Sequence, residues 1–118
     1  MYTFDSRVRY SEVGEDARIT VNAIIDYMQD CTNFQSEDLG VGLEYHKKKQ
    51  LMWVLNSWQI VIEKYPAMGE EITVGTQAYG FEKMFGYRNF LITDSLGECV
   101  AKANSIWVLM DLKKNRPM

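Results

Sequence analysis

This sequence has few cysteines, no long apolar run and no large excess of one charge. Each of these features excludes a class of protein. Cys31 and Cys99 are the only cysteines and form no Cys-x-x-Cys pair, which excludes a disulfide framework and a structural zinc site. The longest apolar runs are the five-residue stretches 51–55 and 106–110, too short for a membrane-spanning helix. The net charge of −3 comes from interspersed signs, which argues against a nucleic-acid groove. Residues 1–5 lack the basic and apolar regions of a secretion signal, so we expect a cytoplasmic protein.

What remains is the composition of an ordinary folded domain. Of 118 residues, 47% are apolar and 25% are charged, and this length suits one domain rather than two. A chain of this size buries roughly two-thirds of its unfolded surface, so it needs no disulfide or metal to hold a core.

The first third of the chain predicts one strand followed by one long helix. Residues 2–10 alternate between apolar and polar side chains, as a half-buried strand does. From Thr20 to Leu39 the apolar residues recur at helical spacing, which predicts an amphipathic helix of about five turns. Thr20 suits the N-cap and Gly40 suits the end of such a helix. Its polar face carries Asp26, Asp30, Asn33 and Glu37.

The rest of the chain predicts long strands joined by short turns. A polar connector, 44–50, precedes a first strand whose two alternating faces are both apolar, so we expect it to be covered on both sides. Short turns favour antiparallel pairing of sequential strands, so we expect a meander. The four strands are 51–65, 72–81, 87–93 and 98–111. One helix on such a sheet is an α+β fold, either a hotdog, in which a curved sheet wraps a central helix, or a cystatin-like sheet.

Four segments, in this order along the chain, resemble a known family. They are residues 9–14, Asn33 with 39–40, residues 63–70, and residues 87–110, which contain Tyr87-Arg88-Asn89-Phe90 and Gly97-Glu98. Together they resemble the N-terminal half of the acyl-acyl-carrier-protein thioesterases of fatty acid synthesis. The resemblance implies a single hotdog, with a long central helix wrapped by a curved antiparallel sheet of five or six strands. It implies hydrolysis of the thioester that joins a fatty acyl chain to acyl carrier protein.

One family motif is missing from the chain. The resemblance implies that the catalytic acid, amide and imidazole lie in an Asp-x-Asn-x-His motif of a second hotdog half, and none of the 118 residues form that motif. We therefore expect residues 1–112 to be one hotdog domain and 113–118 to be a linker toward a second half. The family's usual residues are also replaced at Phe34, Met68, Asn89 and Phe90.

The candidate substrate-binding residues are Asn33, Met28, Trp53 and Trp58. Asn33 matches a family position, so the resemblance implies that it faces the substrate. Met28 and the two tryptophans are apolar side chains suited to a slot between helix and sheet, although most such residues are simply core. Each buried CH₂ of an acyl chain contributes about 0.8 kcal/mol, so slot depth would select chain length. The free N–H groups at the helix N-terminus suit the thioester oxygen as negative charge grows on it.

Three further features have a functional and an ordinary interpretation. Lys47, Lys48 and Lys49, with the basic residues of 113–116, are candidates for docking an acidic carrier protein, but basic loops are commonly just solvated. His46 is the only histidine, so any imidazole chemistry within this chain requires it, and a solvated loop is its ordinary environment. Cys31 on the apolar helix face is expected to be inert. We expect no metal and no cofactor.

Two other functions fit the same residues. The first is a non-catalytic module that binds acyl chains or holds an oligomer together, which the missing motif favours. The second is a hotdog dehydratase, which requires a helix acid facing a histidine. In each case the exposed sheet edge predicts pairing with a second hotdog half or a homodimer.

Overall fold

A computed structural model describes residues 1–118 and has one layer of sheet with one long helix against it. Its α-helices are α1 (Val21–Asp38) and α2 (Leu43–Lys49), and a 3₁₀ turn spans Tyr10–Glu12. Its strands are β1 (Tyr2–Arg7), β2 (Leu51–Ile62), β3 (Glu71–Glu82), β4 (Phe85–Asp94), β5 (Cys99–Asp111) and the two-residue β6 (Arg116–Pro117). The predicted α+β single hotdog is confirmed, as is the long helix. Neither α-helix combines the length and apolar character that crossing a membrane requires.

The sheet is antiparallel, with strand order β1-β3-β4-β5-β2. The meander holds for β3, β4 and β5, but it is wrong for β2, which pairs with β5 at the opposite edge from β1. Residues 63–70 are the reason, because they are not a hairpin turn. They bond instead to the segment before α1: Ile19 N–H donates to Pro66 O at 2.9 Å, and Met68 N–H donates to Ala17 O at 2.9 Å.

A bulge in β2 explains why this strand reads as apolar on both faces. Leu55 pairs with Trp107 and Ser57 with Ile106, which leaves Asn56 as the extra residue. An extra residue reverses the alternation, so Leu51, Trp53 and Leu55 share the helix-facing side of the sheet with Trp58, Ile60 and Ile62. The prediction that both faces are covered is therefore wrong, and the outward-facing Met52, Val54 and Val61 stay 43–45% exposed.

The core lies between α1 and the helix-facing side of the sheet, which we call the inner face. The Thr20 side chain caps α1 by accepting the Ala23 N–H at 3.1 Å, as predicted. The buried helix residues pack with side chains from β3, β4 and β5, and the closest backbone contacts of α1 are with β3 and β1. The buried face of α1 is formed by Ala23, Ile24, Tyr27, Met28 and Cys31.

The predicted polar connector before β2 is a helix, which corrects the sequence reading. The Glu37 carboxylate at the end of α1 accepts the Leu43 N–H at 2.8 Å and so provides the N-terminal hydrogen bond of α2. Residues 113–118, predicted to be a linker, fold back so that β6 pairs with the end of β5. Their role as a connection to a second half stays a prediction.

Cys31 should be chemically silent in the folded chain. Burial raises the pKa of its thiol to about 11, and the thiol donates to Val74 O at 3.5 Å. We expect a thiol reagent at pH 8 to modify the half-buried Cys99 first and Cys31 only after unfolding, because the thiolate is the reactive form. Counting reactive thiols with and without denaturant measures this.

The same raised pKa gives a pH dependence with a defined sign. The protonated thiol is favoured in the folded chain, so its contribution to stability is full below the unfolded pKa of about 9. That contribution is lost as pH rises toward about 11. The difference in the free energy of unfolding between the wild type and a Cys31→Ala variant should therefore shrink as the pH rises over this range. Equal reactivity of both thiols in the native chain would contradict the buried placement.

Candidate functional site

The part of the inner face that α1 leaves uncovered is a strip of apolar side chains. We call it the inner trough; it is formed by Trp53, Leu55, Trp58, Ile60 and Trp107 of β2 and β5. All five are half-buried, whereas the core side chains beneath α1 are fully buried. Trp58, Ile60 and Trp107 pack against the core, and the trough extends from them along the sheet to Trp53. Since α1 lies over β3 and β1, it leaves the inner face of β2 and of the Trp107 end of β5 only partly covered.

The side of α1 that borders the trough carries mostly polar residues. Phe4 of β1 packs against Tyr27 and Phe34, with ring centroids 6.2 and 5.1 Å apart, so that side of the helix faces β1. The opposite side therefore faces the trough. It is half-buried and consists of Ile25, Gln29, Thr32 and Ser36. The Thr32 hydroxyl is buried without a hydrogen-bond partner.

Polar side chains anchor one wall of the trough. The Trp107 indole N–H donates to Ser105 Oγ at 2.8 Å, and Ser105 donates to Arg88 O at 2.9 Å. The Arg88 guanidinium donates from Nη1 to Gln35 Oε1 at 2.6 Å and to Thr76 Oγ1 at 3.1 Å, and it has no acidic partner. Burial lowers the pKa of Arg88, because burial disfavours a charge. These bonds fix the Trp107 ring and join the sheet to the end of α1.

The end of the trough depends on a close approach at Gly86. A Cβ at Gly86 would lie 3.1 Å from the Trp53 ring and 3.4 Å from the Phe81 ring. A side chain at this position would push the Trp53 ring back by a few tenths of an ångström, so glycine lets Trp53 lie directly on β4, where its centroid is 5.9 Å from that of Phe81.

The structure separates the four predicted substrate-binding residues. Trp53 and Trp58 lie in the inner trough, and Trp58 also packs on Phe90 with centroids 5.8 Å apart. Met28 is fully buried in the core under α1. Asn33 is exposed on the side of α1 away from the sheet, and its amide donates to Gln29 O at 2.9 Å. The structure therefore does not bring Asn33 to the other three, and its contact with substrate stays a prediction.

Trp107 and Arg88 are the site residues that sequence reasoning did not single out. Arg88 lies between Gly86 and Phe90 on the inner-facing positions of β4. The sequence signal that could have identified it is a charged residue on the face of a strand that points to the core. Trp107 was visible only as one apolar residue among many, because the bulge that aligns it with the β2 residues has no signature in the sequence.

The predicted basic residues do come together. Lys47, Lys48 and Lys49 are exposed on the last turn of α2. Leu112 N–H donates to Gln50 O at 2.9 Å, which brings the exposed residues 113–116 beside the end of α2. We call the three α2 lysines and Lys113, Lys114 and Arg116 the basic cluster. An open groove of about 530 Å³, lined by Gly40, Glu44, Tyr45, Lys47 and Lys48, lies beside it.

The remaining candidates do not meet at one place. Asp26, Asp30, Asn33 and Glu37 lie on the exposed face of α1, which the helical periodicity predicts to be its polar face. His46 lies in α2, half-buried, with its ring 6.1 Å from that of Tyr45. No group of three or more His, Cys, Asp or Glu residues is placed to hold a metal ion.

Comparisons with known proteins match all or nearly all of this chain. The family model described as the acyl-ACP thioesterase N-terminal domain matches residues 1–118. A chloroplastic palmitoyl-acyl carrier protein thioesterase of Cuphea hookeriana is 26% identical over 117 residues, covering 92% of this chain and 28% of that protein.

Two solved structures agree. One described as an oleoyl thioesterase of Lactobacillus plantarum has a TM-score of 0.96 and 29% identity, covering 99% of this chain and 46% of that one. The 12:0-ACP thioesterase of Umbellularia californica has a TM-score of 0.87 and 26% identity, covering 99% of this chain and 45% of that one. The chain spans less than half the length of each of these relatives. The wrapped helix, the ordered motif segments and the match over every residue together establish that this chain belongs to the N-terminal domain family of the acyl-ACP thioesterases.

Proposed function

We propose that this chain is the acyl-binding half of an enzyme that hydrolyses fatty acyl-acyl-carrier-protein thioesters to free fatty acids. The observation that carries the proposal is the inner trough, a strip of five half-buried apolar side chains beside α1, in a chain that belongs to a thioesterase family. Free thiols at Cys31 and Cys99 are compatible with a cytoplasmic site of action.

The trough has the chemistry that a fatty acyl chain requires. Three indole rings and two aliphatic side chains line it, and each CH₂ removed from water against them contributes about 0.8 kcal/mol. Because this gain accumulates with every carbon, the point where the trough ends sets the preferred chain length. Trp53 occupies one end, and the Trp107–Ser105–Arg88 bonds hold the opposite wall.

The groups that attack the thioester must come from elsewhere. The trough residues include no acid and no histidine, and the single His46 lies on α2. We assign the acid, amide and imidazole that activate water to a second hotdog half carrying the Asp-x-Asn-x-His motif. Water then attacks the thioester carbonyl, negative charge grows on its oxygen, and the thiolate of the carrier arm leaves.

The free edge of β2 is the surface to which we assign that second half. β2 is twelve residues long and pairs only with β5, so its other edge presents unpaired backbone N–H and C=O groups. Pairing with an equivalent strand, either from a second half or from another copy in a homodimer, extends the sheet and places a second helix beside the trough. Asn33 is exposed on the side of α1 away from the trough. It then contacts substrate only where the second half brings the substrate over that side of the helix.

A non-catalytic acyl-binding or oligomerisation module is the alternative function, favoured by the lack of an acid and a histidine in the trough. The two proposals differ in what the chain does once a second half is present. A module binds acyl chains and never contributes to turnover.

The chain alone should bind acyl chains without hydrolysing them. Tryptophan fluorescence titrated with an acyl-acyl-carrier-protein thioester should saturate, because Trp53, Trp58 and Trp107 line the trough. Release of free thiol should equal the buffer rate. Adding a separately made second half with the Asp-x-Asn-x-His motif should restore turnover; binding that persists with no turnover would favour the module. Failure to bind any acyl chain contradicts both the proposal and the acyl-binding module, and leaves an oligomerisation module.

Trp53→Ala should weaken acyl binding while leaving the fold intact. Trp53 lies outside the core. Losing its contact with two or three CH₂ groups removes about 1.5–2.5 kcal/mol of binding free energy, which raises the dissociation constant roughly 10- to 70-fold. Met52→Ala is the matched control, because the neighbouring side chain points to the opposite face and is 45% exposed. Equal effects of the two variants would mean that the chain does not lie in the trough.

Charge reversal of Lys47, Lys48 and Lys49 to Glu should slow association with an acidic carrier protein. The effect should be about tenfold or more at low salt and should shrink as salt screens the charges. The control for net charge is a pair of single variants, Lys48→Glu in the basic cluster and Lys83→Glu in the β3–β4 turn, which change the net charge equally. Stopped-flow association at two salt concentrations makes the measurement, and unchanged rates at low salt would exclude docking at the basic cluster.

A further inference from the structure

The outer face of the sheet, opposite α1, carries four carboxamides in direct register across four strands. We call this set the amide row. Neighbouring strands are about 4.8 Å apart, so the row is a continuous line about 15 Å long. Its members pair directly: Gln77 with Asn89, Asn89 with Asn104, and Asn104 with Gln59.

An apolar surface borders the amide row, and no part of the chain covers it. Tyr79, Met52 and Val54 are 54%, 45% and 43% exposed. The Tyr79 and Tyr87 rings stack at 5.9 Å, so the surface has a flat aromatic part. We call it the outer patch; its members are Met52, Val54, Tyr79, Tyr87, Ile106 and Val108. Contiguous exposed apolar surface of this kind marks a contact with another molecule.

We propose that the amide row and outer patch bind the same face of a second copy of this chain. A carboxamide both donates and accepts hydrogen bonds, so one row is complementary to another, as a two-fold interface requires. Gln59, Gln77 and Asn104 are the exposed members that supply these donors and acceptors, while the Oδ1 atom of Asn89 is itself buried. Glu82 and Lys102, of opposite sign, stand at the two margins along the strands, so a two-fold axis parallel to the amide row brings the acidic margin of one copy over the basic margin of the other.

The size of the face sets the expected strength. Its ten side chains are about half of the 20–30 residues that each side of a standard interface contributes. The association should therefore be weak, with a dissociation constant of about 10–100 μM.

This face is separate from the β2 edge. Pairing along the edge leaves both outer faces of the resulting dimer free, so the two contacts together assemble four copies. The inference stands whether or not the trough binds acyl chains, and it predicts a different oligomer from edge pairing alone.

Sedimentation velocity of Tyr79→Lys against wild type, from about 10 to 100 μM, tests the proposal. Tyr79 lies on β3, remote from the β2 edge, so the variant places a positive charge in the outer face only. Tyr65→Lys is the control, because Tyr65 is 41% exposed and lies outside the sheet. Circular dichroism confirms that each variant folds.

The proposal expects Tyr79→Lys to halve the assembly and Tyr65→Lys to preserve it. Four copies falling to two indicates both contacts, and two copies falling to one indicates the outer face without edge pairing. A combined Gln59→Ala and Asn104→Ala variant, at two exposed positions, should weaken association about tenfold without adding charge. A wild type that is monomeric throughout, or a mass that Tyr79→Lys leaves unchanged, overturns the proposal.

Discussion

The position of α1 over β3 and β1 is the constraint on which the site depends. Tyr27 holds the helix there: its buried ring packs near Phe4, its hydroxyl donates to Glu12 Oε1 at 2.5 Å, and the same oxygen lies 3.0 Å from Arg7 O. Burial and the Glu12 bond raise the pKa of Tyr27, so it stays a neutral donor at physiological pH. A helix centred on the sheet would cover β2 and β5 and leave no channel. Because it is held toward one edge, the inner face of β2 and the Trp107 end of β5 stay only half-buried, whereas Ala101 and Ala103 of β5 are buried in the core.

Backbone bulges then determine what lines the channel. Without the extra residue at Asn56, Trp53 and Trp58 would point to opposite sides of β2, and one of the two would lie on the outer face. A second register shift, between Ala78 and Gly80 of β3, turns Phe81 onto the inner face, where it meets Trp53 over Gly86. Bulges also increase the local twist of a strand, which curls the sheet around the helix. The same irregularities thus give both the curvature of the hotdog and the composition of its channel.

The sequence could predict what depends on local periodicity, and it failed where the outcome depends on distant contacts. The bounds of α1 and its Thr20 cap follow from 3.6-residue spacing and side-chain chemistry within a few residues. The pairing of β2 does not, because Pro66 and Met68 bond to residues 17–19, and a Pro-Gly segment reads as a hairpin turn unless that contact is known. α2 was missed since three consecutive lysines give no amphipathic pattern, and its start is provided by Glu37 from another helix. Trp53 and Trp58 were predicted as slot residues, and the bulge that aligns them was not.

The division of labour between two hotdog halves follows from the same geometry. A channel that binds apolar chains tightly must exclude water. A carboxylate or imidazole placed inside it would lose its hydration without gaining a hydrogen-bond partner. Arg88 illustrates the cost, because even this half-buried charge is hydrogen-bonded to both Gln35 and Thr76. Hydrolysis, in contrast, requires water, an ionised acid and a proton acceptor at one carbonyl. Placing the acyl channel in a half that carries no catalytic motif separates these conflicting demands, and the unpaired edge of β2 is where a second half can bring the polar groups to the mouth of the channel without entering it.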